Sequence, residues 1–175
     1  MTARFGRRPD PEPATGIAEN GLTRESVWDY PRPPRIEPVG RRVRVALGGV
    51  TIVDVPDAIR VLETAGAPTV YVPIEAVAGG ALQPVGGGSF CEWKGAAAYW
   101  DVVAGGATAA RAAWSYPQPS EAFGDLRGLV SFYPALVECR LGDELVRPQP
   151  GGFYGGWVTA EITGPIKGAP GSEGW

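Results

Sequence analysis

The segment Phe90–Gly95 carries a thiol, a carboxylate and an amine within four residues, with aromatic rings beside them. The groups belong to Cys91, Glu92 and Lys94, and Lys94 is one of only two lysines among sixteen basic residues. A lysine ammonium is compact and its pKa shifts readily on burial, unlike that of a guanidinium. The segment therefore predicts a site in which Lys94 orients a carboxylate or phosphate, although an ordinary surface lysine fits the sequence equally well.

Covalent chemistry is a second interpretation of the same segment. Cys91 can serve as a nucleophile if Lys94 lowers the pKa of its thiol, whereas a buried cysteine that packs as a small hydrophobe is the more common case. Glu63 lies in an apolar segment and either pairs with Lys94 or points into solvent. Glu138 has the same two options. The candidate catalytic residues are Cys91, Lys94 and Glu63, and Glu92 is expected as a solvated charge.

Amphipathic aromatic residues are more numerous than a small core requires. Rings with a polar tip suit the walls of ligand pockets, and the alternative is that they pack in the core. Together with Lys94 and Glu63, the candidate ligand-binding residues are Tyr71, Trp93, Tyr99, Trp114, Tyr116 and Tyr133.

Several mechanisms are excluded by the residues that the chain lacks. It has no histidine and only two cysteines, so it has neither a Ser-His-Asp triad nor the four ligands of a structural zinc site. The glycines 86–88 fit neither a phosphate-binding loop nor a dinucleotide fingerprint. Only Asp10-Pro11-Glu12 approaches the paired carboxylates of two-metal chemistry. We therefore expect no metal and no cofactor.

The charge distribution argues against nucleic acid as a partner. Residues 1–44 hold nine arginines against six acidic residues, a net charge of +3. Residues 45–175 hold seven basic against thirteen acidic residues, a net charge of −6. A domain this acidic has no basic stripe for a phosphate backbone. No apolar run reaches the length of a membrane span and the N-terminus lacks a signal-peptide pattern, so we expect a cytoplasmic protein with a small-molecule ligand and no membrane contact.

The hydrophobic pattern predicts an all-β domain. Alternating polar and apolar residues on either side of Gly48-Gly49 indicate a hairpin of residues 42–47 and 50–55. A second hairpin is expected from residues 136–140 and 144–146. Further strands are expected at 69–73, 97–103 and 129–134, and a flexible loop at 86–88. The alanine-rich run 107–113 is compatible with a short helix, which would need packing to persist.

The composition divides the chain into four parts. Residues 1–25 are expected to be a disordered arm, 26–41 a proline-rich strap, 42–147 the β domain and 148–175 a tail of glycine, proline and aromatic residues. We expect the tail to dock through Phe153, Tyr154 and Trp157, on its own domain or on a second subunit, which would make a homodimer. Pro31 and Pro34 also match a P-x-x-P pattern, so an interaction module using strap and tail is an alternative function.

Six motifs in the same order resemble the domain-of-unknown-function 427 family: residues 26–31, 60–64, 90–95, 113–117, 132–134 and 153–157. The resemblance implies a small mainly β fold of the Mss4-like, or β-tent, type. Many proteins of that fold bind zinc through four cysteines, and this chain lacks those ligands. The family also carries a nucleotidyltransferase label, which implies carboxylate chemistry as another possible activity.

Overall fold

Antiparallel strands form most of the regular structure in a computed structural model that describes residues 8–175. The mainly β fold expected from the sequence is confirmed. Three short 3-10 helices cover Val27–Asp29, Ile74–Ala76 and Glu121–Leu126. In chain order the strands are β1 (Glu25–Ser26), β2 (Arg35–Pro38), β3 (Val43–Leu47), β4 (Val50–Val55), β5 (Ile59–Leu62), β6 (Thr69–Pro73), β7 (Leu82–Cys91), β8 (Gly95–Ala104), β9 (Ala107–Ser115), β10 (Leu129–Phe132), β11 (Glu138–Leu141), β12 (Glu144–Leu145), β13 (Arg147–Pro148), β14 (Trp157–Val158) and β15 (Ile162–Thr163).

The largest sheet has seven antiparallel strands in the order β2-β5-β6-β10-β9-β8-β7. In β6, Val70 and Val72 join one buried cluster and Tyr71 joins another, because successive side chains of a strand point to opposite faces. The register of β8 and β9 places Tyr99 opposite Trp114. One face of the sheet therefore supplies aliphatic side chains to the main core, and the other face carries aromatic residues.

The second sheet covers the aliphatic face and has the order β12-β11-β3-β4. The predicted glycine hairpin is confirmed, since β3 and β4 are joined by Gly48 and Gly49, both with positive φ. A tight two-residue hairpin turn requires that backbone conformation, which glycine adopts without strain. Buried valines of β3 and β4 pack with Val102, Val130 and other side chains of the large sheet in the main core.

Two local expectations are wrong. The glycines 86–88, expected as a loop, lie inside β7, which pairs with β8 through a register shift between Pro84 and Gly88. A Cβ on Gly88 would lie 2.6 Å from the carbonyl oxygen of Ala97, so glycine fits this close approach. The alanine-rich run 107–113 is strand β9, not a helix. Pairing with β8 along the run, and with β10 from Ala113 onward, outweighs the weak helix propensity of a few alanines.

The N-terminal region differs from the disordered arm expected over residues 1–25, of which residues 1–7 lie outside the described part of the chain. An isolated bridge joins Ile17 to Thr23, and β1 pairs in parallel with β15 of the tail. The strap contributes β2 to the edge of the large sheet. The two ends of the chain thus lie side by side.

A polar cluster joins these ends to the domain around Glu161, which is 3% exposed. Asn20 donates to Glu144 and to Glu161, each at 2.7 Å, and Arg41 donates to Glu161 at 2.7 Å. Burial alone would raise the pKa of Glu161. Hydrogen bonds from Thr159 and Asn20, with the charge of Arg41, outweigh burial, so this pKa is lowered.

The tail is held by fewer rings than the sequence suggests. Trp157 is 1% exposed, joins the main core and donates its indole N–H to the carbonyl oxygen of Phe132 at 2.9 Å. Val158 and Ile162 belong to a third cluster with residues of the strap. Phe153, by contrast, is 70% exposed. Within residues 8–175, no helix has the length and apolar character needed to cross a bilayer.

Candidate functional site

A cavity of about 280 Å³ opens on the aromatic face of the large sheet. Nine predicted site residues line it: Glu63, Tyr71, Cys91, Trp93, Lys94, Tyr99, Trp114, Tyr116 and Tyr133. They come from strands and turns that are far apart in the sequence and adjacent in the sheet. The structure thus brings these nine side chains to one cavity.

Lys94 projects from the turn between β7 and β8, and that turn is fixed by the segment before the third 3-10 helix. The backbone N–H of Ser120 donates to the carbonyl oxygen of Lys94 at 3.0 Å, and the hydroxyl of Ser120 donates to the carbonyl oxygen of Trp93. Gly95 has a φ of 104°, and a Cβ there would lie 3.3 Å from the carbonyl oxygen of Gln118. The turn therefore needs glycine after the lysine, which explains the Lys94-Gly95 pair.

The ammonium of Lys94 is nearly buried and incompletely partnered. The residue is 8% exposed. Its Nζ lies 3.9 Å from Oε2 of Glu63, beyond hydrogen-bond distance, and 5.8 Å from the ring centroid of Tyr116. An ammonium has three N–H donors, and none of them has a hydrogen-bond acceptor among the described residues. The cavity therefore contains a mostly buried lysine whose N–H donors have no acceptor among the described residues.

Lys167, the other lysine of the chain, lines the same cavity. Its Nζ lies 4.8 Å from the ring centroid of Tyr154. Burial lowers the pKa of Lys167, the charge of Glu63 acts in the opposite direction, and the positive charges of Arg32 and Lys94 lower it further. Both lysines of this arginine-rich chain thus converge on one site, with Glu63 acting on both.

Hydrogen bonds and ring contacts fix the rear wall of the cavity. Trp114 donates its indole N–H to the hydroxyl of Tyr71 at 3.1 Å, and the two rings meet edge to face. The ring of Tyr133 lies 4.6 Å from that of Trp114. Burial raises the pKa of Tyr71 and of Tyr116 well above the ordinary range. Burial and the neighbouring Tyr99 raise the pKa of Tyr133 to about 12. These three phenols are therefore neutral donors at physiological pH.

The side wall is formed by the β7–β8 hairpin. The hydroxyls of Ser89 and Tyr99 share a hydrogen bond of 2.8 Å, and the guanidinium of Arg111 stacks 4.2 Å above the Tyr99 ring. Cys91 is half-buried in this wall, and Glu92 lines the mouth with an exposed side chain. Cys91 is the accessible thiol of the pair, because Cys139 is buried in the main core, where burial raises its pKa.

The tail closes the remaining side, and the sequence nominated none of its residues for the site. Phe153, Tyr154, Gly155, Gly156, Gln149 and Lys167 all line the cavity. The carbonyl oxygen of Phe153 accepts a hydrogen bond from Tyr133 at 3.2 Å. Gln149 is 3% exposed and binds the backbone of Ala67 and Lys167. Two features of the sequence could have indicated these residues: the aromatic-glycine segment 153–157 and the rarity of lysine.

One nominated side chain lies elsewhere. Glu138 is half-exposed on β11 and pairs with Arg140 at 2.9 Å, far in the fold from the aromatic face. Strand alternation turned this glutamate outward, whereas Glu63 follows the end of β5 and lines the cavity. Within residues 8–175, no three His, Cys, Asp or Glu side chains cluster in a way that could hold a metal ion.

Comparison with known families gives a match to the domain of unknown function DUF427 over residues 35–142. The chain belongs to this family. The DUF427 segment contains the cavity residues from Glu63 to Tyr133, whereas Gln149, residues 153–156 and Lys167 lie beyond it. No curated protein matches the chain. The tail side of the cavity therefore lies outside the matched segment.

Proposed function

We propose that this protein binds a small anionic molecule in the aromatic cavity, with Lys94 as the group that orients it. The observation that carries the proposal is Lys94, a residue that is 8% exposed and whose ammonium has no acceptor within hydrogen-bond distance among the described residues. A buried charge is costly unless it is paired and hydrogen-bonded. A carboxylate or phosphate ester in the cavity would supply the missing acceptors.

The charge of the inner cavity supports an anion. Lys94 and Lys167 contribute two positive charges and Glu63 one negative charge, which leaves a net +1, since Glu92 is exposed at the mouth. The neutral tyrosines add hydroxyl groups without adding negative charge. A monoanion would therefore neutralise the inner cavity.

The walls and the volume define the rest of the ligand. About 280 Å³ lies at the lower end of the range for small-molecule sites. Trp114, Tyr116, Tyr133 and Tyr154 present ring surfaces that favour a flat, apolar body. The proposed ligand class is a small carboxylate or phosphate monoester with an aromatic or unsaturated body.

The test compares matched anionic and neutral probes on the full chain. Benzoate and phenyl phosphate should raise the melting temperature or give ligand-observed NMR signals, and benzamide and phenol should not. Lys94→Met should fold and lose this binding. Lys94→Arg should also bind poorly, because the planar guanidinium has a different donor geometry. Unchanged anion binding by Lys94→Met would contradict the proposal.

Enzymatic chemistry at the same site is the second candidate function, because Cys91 and two lysines face one cavity. Cys91 as a nucleophile predicts fast, stoichiometric alkylation by iodoacetamide that an anionic ligand slows. Carboxylate-and-metal chemistry of the nucleotidyltransferase kind has less support, since Glu63 and Glu92 are the carboxylates among the described lining residues.

A further inference from the structure

Lys167 is the feature that simple anion binding leaves unexplained. Fourteen of sixteen basic residues are arginines, yet both basic side chains that line the cavity are lysines. A guanidinium would bind a carboxylate through two parallel hydrogen bonds and would serve as well for charge alone. The property that lysine has and arginine lacks is an amine that can lose its proton and attack an electrophile.

The backbone places Lys167 firmly at the cavity. Its N–H donates to the carbonyl oxygen of Ala65 at 2.9 Å, and its carbonyl oxygen accepts from Gln149 at 3.0 Å. The next residue, Gly168, donates to Ser172 at 2.8 Å and packs so closely on Pro150 that a Cβ would overlap its carbonyl oxygen. The lysine is therefore presented by a built segment of the tail and is not a freely moving surface side chain.

We propose that Lys167 is an amine nucleophile that forms an imine with the carbonyl carbon of a small oxo-carboxylate held by Lys94. This inference rests on the proposed anion binding and names its substrate class. The substrate carries an aldehyde or ketone on a flat body, with a carboxylate at the other end.

The surroundings of Lys167 make its ammonium easier to deprotonate than that of an exposed lysine. Burial is the main cause that lowers the pKa of Lys167, and Lys94 acts in the same direction. A lysine beside a second cation in a desolvated pocket is a known way to activate an amine. The charge of Glu63 and the ring face of Tyr154, whose centroid lies 4.8 Å from Nζ, act in the opposite direction. Lys94, close to Glu63, is the group that holds the carboxylate.

The reaction balances without an oxidant or reductant. The Lys167 ammonium loses one proton to solvent water, and the nitrogen lone pair forms a C–N bond as the carbonyl π bond breaks. A second proton moves from nitrogen to the alkoxide oxygen, which gives the neutral carbinolamine. Its hydroxyl group takes a proton from solvent and leaves as water, and the iminium nitrogen then returns a proton to solvent. The sum is one neutral amine and one carbonyl compound giving one imine and one water.

The experiment uses reductive trapping on the full chain with 4-formylbenzoate as the probe and sodium cyanoborohydride as the reductant. The sequence offers few competing amines, namely Lys94 and the α-amino group, so peptide mass spectrometry gives an unambiguous location. We expect a single adduct at Lys167. Benzaldehyde, which lacks the carboxylate, should give about tenfold less adduct at equal concentration, because the charged contact to Lys94 is lost.

Two variants distinguish the role of Lys167 as the nucleophile from that of Lys94 as the group that holds the carboxylate. Lys167→Arg keeps a positive charge but has no amine that forms an imine, so it should abolish the cavity adduct. Lys94→Met should lower trapping of 4-formylbenzoate about tenfold and leave trapping of benzaldehyde unchanged. The melting temperature of each variant and its trapping at the α-amino group report folding and general reactivity.

Three results would overturn the inference: no adduct at Lys167 with either aldehyde, equal labelling of all amines, or undiminished cavity labelling in Lys167→Arg. Binding of benzoate and 4-formylbenzoate without reductant is measured in parallel. Binding without a Lys167 adduct would refute imine formation and would leave the proposed anion site unaffected. Absence of binding removes the site itself.

Discussion

The close packing of the tail on Trp114 can be tested by adding one methyl group at Gly155. A Cβ on Gly155 would lie 2.2 Å from Cη2 and 2.4 Å from Cζ3 of the indole. Since carbon atoms prefer separations of about 3.5 Å or more, Gly155→Ala requires a displacement of about 1.3 Å. Trp114 cannot yield easily, because it donates to Tyr71 and packs against Tyr133.

The expected cost of Gly155→Ala follows from this overlap. Overpacking a buried contact destabilises by about 1–3 kcal/mol. The matched control is Gly152→Ala in the same loop, where a Cβ would meet nothing within 4 Å. This control should be neutral or stabilising by up to about 1 kcal/mol, because alanine restricts the unfolded chain.

The assay is urea unfolding of both variants, followed by calorimetry and by benzoate binding. The two variants should differ by about 1–4 kcal/mol in the free energy of unfolding, which corresponds to roughly 2–16 °C in melting temperature for a chain of this size. Gly155→Ala should also weaken binding, since Trp114 and the tail both line the cavity. Equal stability of the two variants would refute the close approach of tail and indole.

Three further outcomes are expected. A chelator should leave the melting temperature unchanged, because the chain cannot supply the four ligands of a structural zinc site; a large drop on adding EDTA would contradict this. Glu161→Gln should destabilise the protein by about 1–3 kcal/mol at pH 7, and by less as the pH falls below about 4. The reason is that the pKa of Glu161 is lower in the folded than in the unfolded protein, so the carboxylate stabilises the fold fully only at a pH above the pKa of the unfolded chain. A difference in urea unfolding that does not change with pH would refute that linkage. Tyr71→Phe should lower the free energy of unfolding by about 1–3 kcal/mol, since the indole N–H of buried Trp114 loses its acceptor. Tyr133→Phe is the control and should cost less, because the hydrogen bond of Tyr133 is exposed. Equal losses of stability in the two variants would contradict the importance of the Tyr71 contact.

The strand pattern and the main site residues could be read from the sequence. Alternation around Gly48-Gly49 predicts a hairpin because side chains of a strand point to opposite faces with a period of two. The aromatic set and Lys94 stood out by residue type, since rings with polar tips and a rare lysine are informative without any knowledge of neighbours. These seven residues line one cavity.

The tertiary structure decided which of these residues meet. A period of two assigns a residue to a face, but it does not say which strands are neighbours or what covers that face. Only the strand order separates Glu63, at the cavity, from Glu138, on the other sheet. The same limitation made the run 107–113 ambiguous, because its pairing with β8 is a property of the sheet and not of alanine.

The approach of Lys167 to Lys94 was the least accessible from the sequence. The two residues stand 73 positions apart, and the tail between Pro148 and Lys167 has little regular structure to reveal its path. That path is set by Trp157 in the core, by Gln149 on the backbone and by glycines that permit close contact. Composition therefore determined that lysine is rare in this protein, and only packing placed both lysines around one cavity.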